Sequence, residues 1–232
     1  MKDLLLGIDV GTTGTKSALF TTWGKLVSVG QSDYGTIHEH PGWAEQNPND
    51  WWTAVCSATK EALSEPGASP ERIAAAAVSS QAPAMLPLDR HGRPIRPALI
   101  WMDRRADEES QELAKKCGKG FIEQVTGNRP DPFYVASKIL WFKKHEPERF
   151  TETKLFVQVN GYINFRLTGF HSQDPAQAAL LQLQEYGKGT WSEKLCRLCG
   201  VLVGLRRSLH HLGCMRVRIC LFGFVFRHYL DS

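Results

Sequence analysis

Apolar residues along the chain fall first into short runs and then into helical spacing. LLLGIDV, KSALFTT and KLVSVGQS predict three successive strands, Leu4–Val10, Lys16–Thr22 and Lys25–Ser32. They are joined by a GTTGT turn and a short Trp23-Gly24 turn, both suited to antiparallel hairpins. Asn47-Pro48-Asn49-Asp50 then opens a helix with Asn47 as N-cap and Pro48 at its first position, running to about Leu63. RIAAAAVS (Arg72–Ser79) predicts a strand of small apolar residues buried on both faces. Ala84–Leu88 predicts another, followed by a turn at Asp89–Gly92. Arg104–Cys117 has the pattern of a charged amphipathic helix closed by Gly118. Pro132–His145 is a further helix, Leu155–Val159 a short strand, and Tyr162–Leu167 a helical segment ended by Gly169. Trp191–Cys199 closes the ordered part. Early hairpins followed by alternating strands and helices predict an α/β domain with a mixed sheet flanked by helices.

Composition narrows the class. With 232 residues, 42% hydrophobic and 22% charged, the chain is long enough for a substantial core and is not of disordered type. No apolar run approaches the roughly 20 residues that span a bilayer, and the start lacks a signal-peptide pattern, so a cytoplasmic protein is expected. Six cysteines in a chain of this length read as reduced thiols, not as a disulfide framework. The net charge of +4 belongs to the end of the chain. Residues 202–232 hold five arginines and one acid, leaving 23 basic and 23 acidic residues before them (28 less 5, 24 less 1).

The chemistry concentrates where the first apolar run stops. Asp9 is followed at once by Gly11, Thr12, Thr13, Gly14, Thr15 and Lys16. A glycine-containing turn lets consecutive backbone N–H groups point into one concavity, which suits a phosphate. Asp9 at the strand end is placed to support a hydrated Mg²⁺ beside it. An ordinary β-hairpin with a Thr/Gly turn is the alternative.

DVGTTGTK after an apolar strand resembles the phosphate-binding hairpin of the FGGY carbohydrate kinases. The resemblance continues through GWAEQNPNDWW (Gly42–Trp52), ALIWMDRRADEE (Ala98–Glu109) and VASKILWFKKHEPERF (Val135–Phe150). GYINFRLTG (Gly161–Gly169) and DPAQAALLQL from Asp174 extend it, in the family's order, to about residue 201. The pentulose-kinase branch, with its xylulose-kinase-like members, is the most similar. The resemblance implies a ribonuclease-H-like fold of the actin/hexokinase type. It further implies two such domains around a cleft and transfer of the ATP γ-phosphate to a sugar hydroxyl with Mg²⁺.

On that basis Gly11, Thr12, Thr13 and Thr15 face the phosphates, Asp9 supports the metal, and Lys16 either reaches a phosphate or is a solvated flank. The sugar wall maps to Gln81, after Ser80, and to Trp101, Asp103 and Arg105. Each has a plain structural alternative: a helix N-cap for Asp103, a solvated charge for Arg105, core packing for Trp101. Two positions depart from the family pattern. Ala82-Pro83-Ala84 stands where xylulose-kinase-like members carry a His-Gly pair, which removes a donor and puts D-xylulose in doubt. Gly161 stands where relatives commonly have an aspartate.

The expected organisation is an N-terminal kinase domain over 1–201 and an unrelated basic tail over 202–232 rich in Cys, His and Phe. The family's C-terminal domain and its general-base aspartate are absent from the sequence given. The abrupt change suggests an alternative exon, a frameshift or a truncated product. Little turnover by the chain alone is expected. A catalytic half needing a complementing domain, a non-catalytic sugar- or phosphate-binding regulatory module, and a partly folded by-product all stay open. Sugar and ATP are the expected partners, without membrane or nucleic acid, and self-association is open. Cys196, Cys199, His210, His211, Cys214 and Cys220 include zinc-ligand types, with packed thiols the favoured alternative for the first two.

Overall fold

A computed structural model describes residues 2–201. The basic tail over 202–232, with His210, His211, Cys214 and Cys220, lies outside these residues. Four strands form the main sheet: β1 (Leu4–Val10), β2 (Gly14–Thr21), β3 (Leu26–Asp33) and β5 (Ile73–Ser80), in the order β3-β2-β1-β5. β1 pairs antiparallel with β2 and parallel with β5, so the sheet is mixed as the pattern predicts. Leu4, Leu6, Ile8 and Val10 alternate toward a buried face, while Leu5, Gly7 and Asp9 lie on the other.

β4 (Glu45–Gln46) leads into helix α1 (Pro48–Ala62), which packs on the buried face over β2 and β3. The Asn47 side chain accepts from the Asn49 N–H, and Pro48 stands at the first helical position, as its local sequence requires. Gly30 on β3 is where helix and sheet approach most tightly. A Cβ there would lie 2.1 Å from the Ala58 carbonyl oxygen and 2.8 Å from the Ala62 nitrogen.

β6 (Leu86–Leu88) pairs with β8 (Leu155–Val157), and β7 (Ala98–Leu99) pairs with β4. The helices α2 (Asp107–Cys117), α3 (Phe121–Thr126), α4 (Val135–His145) and α5 (Pro147–Glu152) follow in order. They are succeeded by α6 (Val159–Thr168), α7 (Pro175–Ala179) and α8 (Glu193–Cys199). Between α7 and α8, β9 (Gln184–Glu185) and β10 (Thr190–Trp191) form a small hairpin. One core joins the sheet to α1 and α6 through Leu6, Ile8, Leu19, Trp51, Tyr162 and Ile163. A second gathers around α4, with Leu113, Ile139, Phe142 and Leu195. Among the described residues no helix is long and apolar enough to cross a membrane.

Several expectations change. β5 is not buried on both faces: Ile73 is buried, but Ala77 and Ser79 are exposed. The cause is the register with β1: Ala77 and Ser79 stand beside Gly7 and Asp9, on the sheet face turned away from α1. Helix α2 starts at Asp107 rather than at Arg104. The Arg104 N–H is drawn to the Gly42 carbonyl (2.8 Å) and the Asp103 N–H to Ile100 (3.0 Å), so 100–106 runs as a turn. Helix α4 starts at Val135 rather than at Pro132, because the Asp131 carboxylate accepts from the Phe133 N–H (2.7 Å) and holds a turn there. Cys196 and Cys199 are packed thiols of the second core, where burial pushes the Cys196 pKa up to about 11 and raises that of Cys199 as well. The other four zinc-type residues lie beyond 201.

Candidate functional site

The site is built at the end of β1. Val10 pairs with Thr15, and residues 11–14 form the turn, closed by the Gly11 N–H on the Gly14 carbonyl (2.9 Å). Gly14 is required by packing, since a Cβ there would stand 2.5 Å from an Asp33 carboxylate oxygen and 2.9 Å from the Ser32 carbonyl. The N–H groups of Thr12 and Thr13 meet no acceptor among the described residues. Two adjacent free donors at a hairpin tip have the chemistry of an anion cradle.

Strand alternation sorts the flanking residues. Asp9 and Lys16 are directly opposite in the β1–β2 register and both exposed on the sheet face away from α1. Asp9 makes no ion pair among the described residues, so its oxygens are available. No group of three or more His, Cys, Asp or Glu is placed to hold a metal ion among those residues. One free carboxylate fits an ion that keeps its water and arrives with phosphate, as Mg²⁺ does, better than a metal caged by side chains. Thr15 departs from expectation. It is fully buried on the same face of β2 as Ser17 and Leu19, beside the Tyr34 hydroxyl, and so it does not line the turn's open side.

The loop after β7 brings Trp101 to the hairpin. Its indole Nε1 donates to the Thr12 hydroxyl at 3.0 Å, and the residue remains 38% exposed. This is not core packing: one edge of the ring is tethered while the rest stays accessible. Gln81 continues from β5 alongside the end of β1, its N–H on the Val10 carbonyl (2.8 Å). Its Nε2 donates to Gln46 at 2.6 Å, and its buried Oε1 has no hydrogen-bond partner. Ser80 beside it accepts from Gln177 Nε2 at 3.0 Å.

Asp103 and Arg105 lie in the interior, not on an open wall. The Asp103 carboxylate accepts from the Ala44 N–H (2.7 Å) and from Arg105 Nη2 (2.7 Å), and is 0% exposed. The Arg105 guanidinium also pairs with Glu45 (2.7 Å) and stacks over Trp43, 3.6 Å from its ring centre. Arg96 joins the same Glu45 and reaches Glu146. The N-cap alternative for Asp103 fails as well, since α2 begins after Ala106 without a side-chain cap. These charges clasp the segment of Trp43–Glu45 to the segment carrying Trp101.

Sequence reasoning overlooked Gln46 and Tyr34. Gln46 is 1% exposed and uses its whole amide. Nε2 donates to the Thr12 carbonyl (2.7 Å) and the Thr36 hydroxyl (2.9 Å), while Oε1 accepts from Trp51 Nε1 (2.9 Å) and Gln81. The Tyr34 hydroxyl donates to the Gly11 carbonyl (2.6 Å). Burial pushes its pKa up to about 12, helped by the nearby Asp9 charge, so the proton stays on. The available signal for Gln46 was a polar residue just ahead of a helix N-cap within GWAEQNP. At Gly161 the chain packs closely: a Cβ there would lie 2.8 Å from Gln173 Oε1 and 3.1 Å from the Ser172 carbonyl. That loop is held by Gln173 Nε2 on Asn160 (3.0 Å) and by an Asn160–Asp174 hydrogen bond.

The sheet thus ends in a turn with two free N–H donors, and Trp101 of a neighbouring loop is hydrogen-bonded to it. The model of the FGGY family of carbohydrate kinases, N-terminal domain, matches residues 4–216, and the chain belongs to this family. The match runs past residue 201, where the resemblance seen in the sequence ended. The solved xylulose kinase of Rhodospirillum rubrum superposes with a TM-score of 0.81 at 29% identity, covering 85% of this chain and 41% of that one. The fold is the ribonuclease-H-like type of these kinases. A xylulose kinase of Escherichia coli (strain K12) is 31% identical over 196 residues, 84% of this chain and 40% of the relative. A glycerol kinase of Thermococcus gammatolerans is 30% identical over 209 residues, 88% and 42% respectively. The chain thus spans about two-fifths of the length of the curated relatives it matches.

Proposed function

We propose that this chain supplies the phosphate-gripping and sugar-facing wall of an ATP-dependent sugar kinase acting on a pentulose or a related polyol. The Trp101–Thr12 hydrogen bond carries this reading, because it joins the phosphate turn and the sugar loop into one site. Phosphoryl transfer depends on positioning and on neutralising charge around the transferred group. In this reading the Thr12 and Thr13 N–H groups bind phosphate oxygens, with Gly11 allowing the close approach and Lys16 adding positive charge from β2. Asp9 would hold a Mg²⁺ arriving with the nucleotide, which would supply charge neutralisation at the phosphates. Trp101 offers a flat apolar face to the sugar, and Gln81 would reach a sugar hydroxyl only by turning its buried, unpaired Oε1 outward. Asp103 and Arg105 act behind Trp101, holding its loop.

Ala82 and Pro83 beside Gln81 provide no side-chain donor, so a substrate needing an imidazole there, such as D-xylulose, is disfavoured. The resemblance places the general base beyond the matching region. Such a base is typically worth ~10²–10⁴-fold in rate, and in this reading residues 2–201 supply binding groups only. A sugar-binding module without catalysis is therefore the second reading. Calorimetry of the chain with pentuloses, hexuloses and polyols, with and without MgATP, beside an ATP-coupled turnover assay, separates the two. Sugar binding strengthened by MgATP supports the kinase site; absence of binding to any sugar and to MgATP contradicts it.

A further inference from the structure

We propose that Tyr34 and Gln46 are positioning residues that set the anion affinity of the hairpin by holding its carbonyls away from the ligand side. A trans peptide unit is planar, and its C=O and N–H point in opposite directions. The hairpin peptides are trans, since the single cis bond among the described residues is Ala82–Pro83. Fixing a carbonyl therefore aims the next residue's N–H.

Three successive carbonyls of the turn are fixed in this way. The Gly11 carbonyl accepts from the Tyr34 hydroxyl at 2.6 Å, which aims the Thr12 N–H outward. The Thr12 carbonyl accepts from Gln46 Nε2 at 2.7 Å, which aims the Thr13 N–H outward. The Thr13 carbonyl accepts from the Tyr34 backbone N–H at 3.1 Å, so the turn is fastened beyond both donors. Neither of these two N–H groups meets an acceptor among the described residues.

The anchors are themselves rigid. Gln46 cannot rotate without breaking its bonds to Thr36, Trp51 and Gln81. Tyr34 stands directly after β3, and its backbone and its hydroxyl act on the same turn. Pre-aimed donors bind an anion without first ordering the loop, and that ordering is the cost that pre-organisation removes. Neither side chain needs to touch the ligand. Each acts through a peptide plane.

This inference rests on the proposed phosphate site, and its test separates the two. The full chain is titrated with magnesium pyrophosphate as wild type, Tyr34→Phe and Gln46→Met. Amide hydrogen exchange of Thr12 and Thr13 is recorded without ligand, and melting temperatures are taken in parallel. Misaiming one donor to a charged group is expected to weaken binding roughly five- to thirtyfold. Tyr34→Phe is expected to melt within about 5 °C of wild type and to change exchange at Thr12 more than elsewhere in β1 and β2. Gln46→Met is expected to change exchange at Thr13; should it fail to fold, Tyr34→Phe carries the test. Wild-type binding with Tyr34→Phe equally tight and Thr12 exchange unaltered overturns this inference alone. No binding of pyrophosphate by the folded wild type overturns the phosphate site and this inference with it.

Discussion

Lys138 is a fully buried lysine whose charge state the fold controls, and its removal gives a prediction with a definite sign. Its Nζ donates to the carbonyls of Pro132 (2.8 Å) and Phe133 (2.7 Å), clamping the start of α4. A neutral amine keeps two N–H groups, so both bonds survive loss of the proton. Burial lowers the pKa from 10.5 to about 7. The Asp103 and Asp131 charges oppose the fall, and those of Arg104 and Arg105 add to it.

Between pH 7 and 10.5 the unfolded chain therefore holds a proton at this site that the folded chain does not. Unfolding takes up a proton in that window, so stability rises with pH there, by ~1.4 kcal/mol per pH unit. Below pH 7 both states are protonated and the contribution is flat. From pH 7.5 to 9.5 wild type should gain about 2–3 kcal/mol relative to Lys138→Met, which lacks the group. Urea unfolding of both proteins, followed by tryptophan fluorescence at the two pH values, reads this difference. A stability difference that stays constant across the range refutes a neutral Lys138 in the folded state.

Further outcomes follow from the packing. Gly30→Ala forces β3 off α1 and should cost about 1–3 kcal/mol in denaturant unfolding; wild-type stability would contradict the 2.1 Å approach to Ala58. Asp103→Ala leaves Arg105 buried with Glu45 alone and should cost about 3–5 kcal/mol. A variant that kept its stability and lost only sugar affinity would return Asp103 to the sugar wall. Thr15→Val should stay within about 1 kcal/mol and bind magnesium pyrophosphate as wild type does. A tenfold loss of affinity would put Thr15 back in the cradle.

Local signals were legible in the sequence and long-range ones were not. The Asn47-Pro48 helix start could be read because cap, first-turn residue and helix are neighbours in the chain. The turn after Asp9 was equally plain, yet the threonines around it do different work. Thr12 and Thr13 sit in the bend, while Thr15 already obeys strand parity and points into the core. The roles of Asp103 and Arg105 depend on Trp43, Ala44 and Glu45, which fold over them from some 60 residues earlier in the chain. No spacing rule announces that approach. The two-residue strands β4 and β7 likewise exist only through each other, and the six-residue helices α3 and α5 are too short to leave a clear period. Gln46 was hidden for the same reason, since all but one of its partners come from other segments.

The central claim is that the turn between β1 and β2 is a nucleotide-phosphate cradle facing a sugar wall. Amide chemical-shift mapping of the chain during titration with MgATP, with and without a bound sugar, tests it most directly. The largest shifts are expected at Thr12 and Thr13, with the Trp101 indole N–H moving when sugar is added and the magnesium dependence lost in Asp9→Asn. Shifts confined to other parts of the chain, with Thr12 and Thr13 unmoved at saturation, would contradict the account.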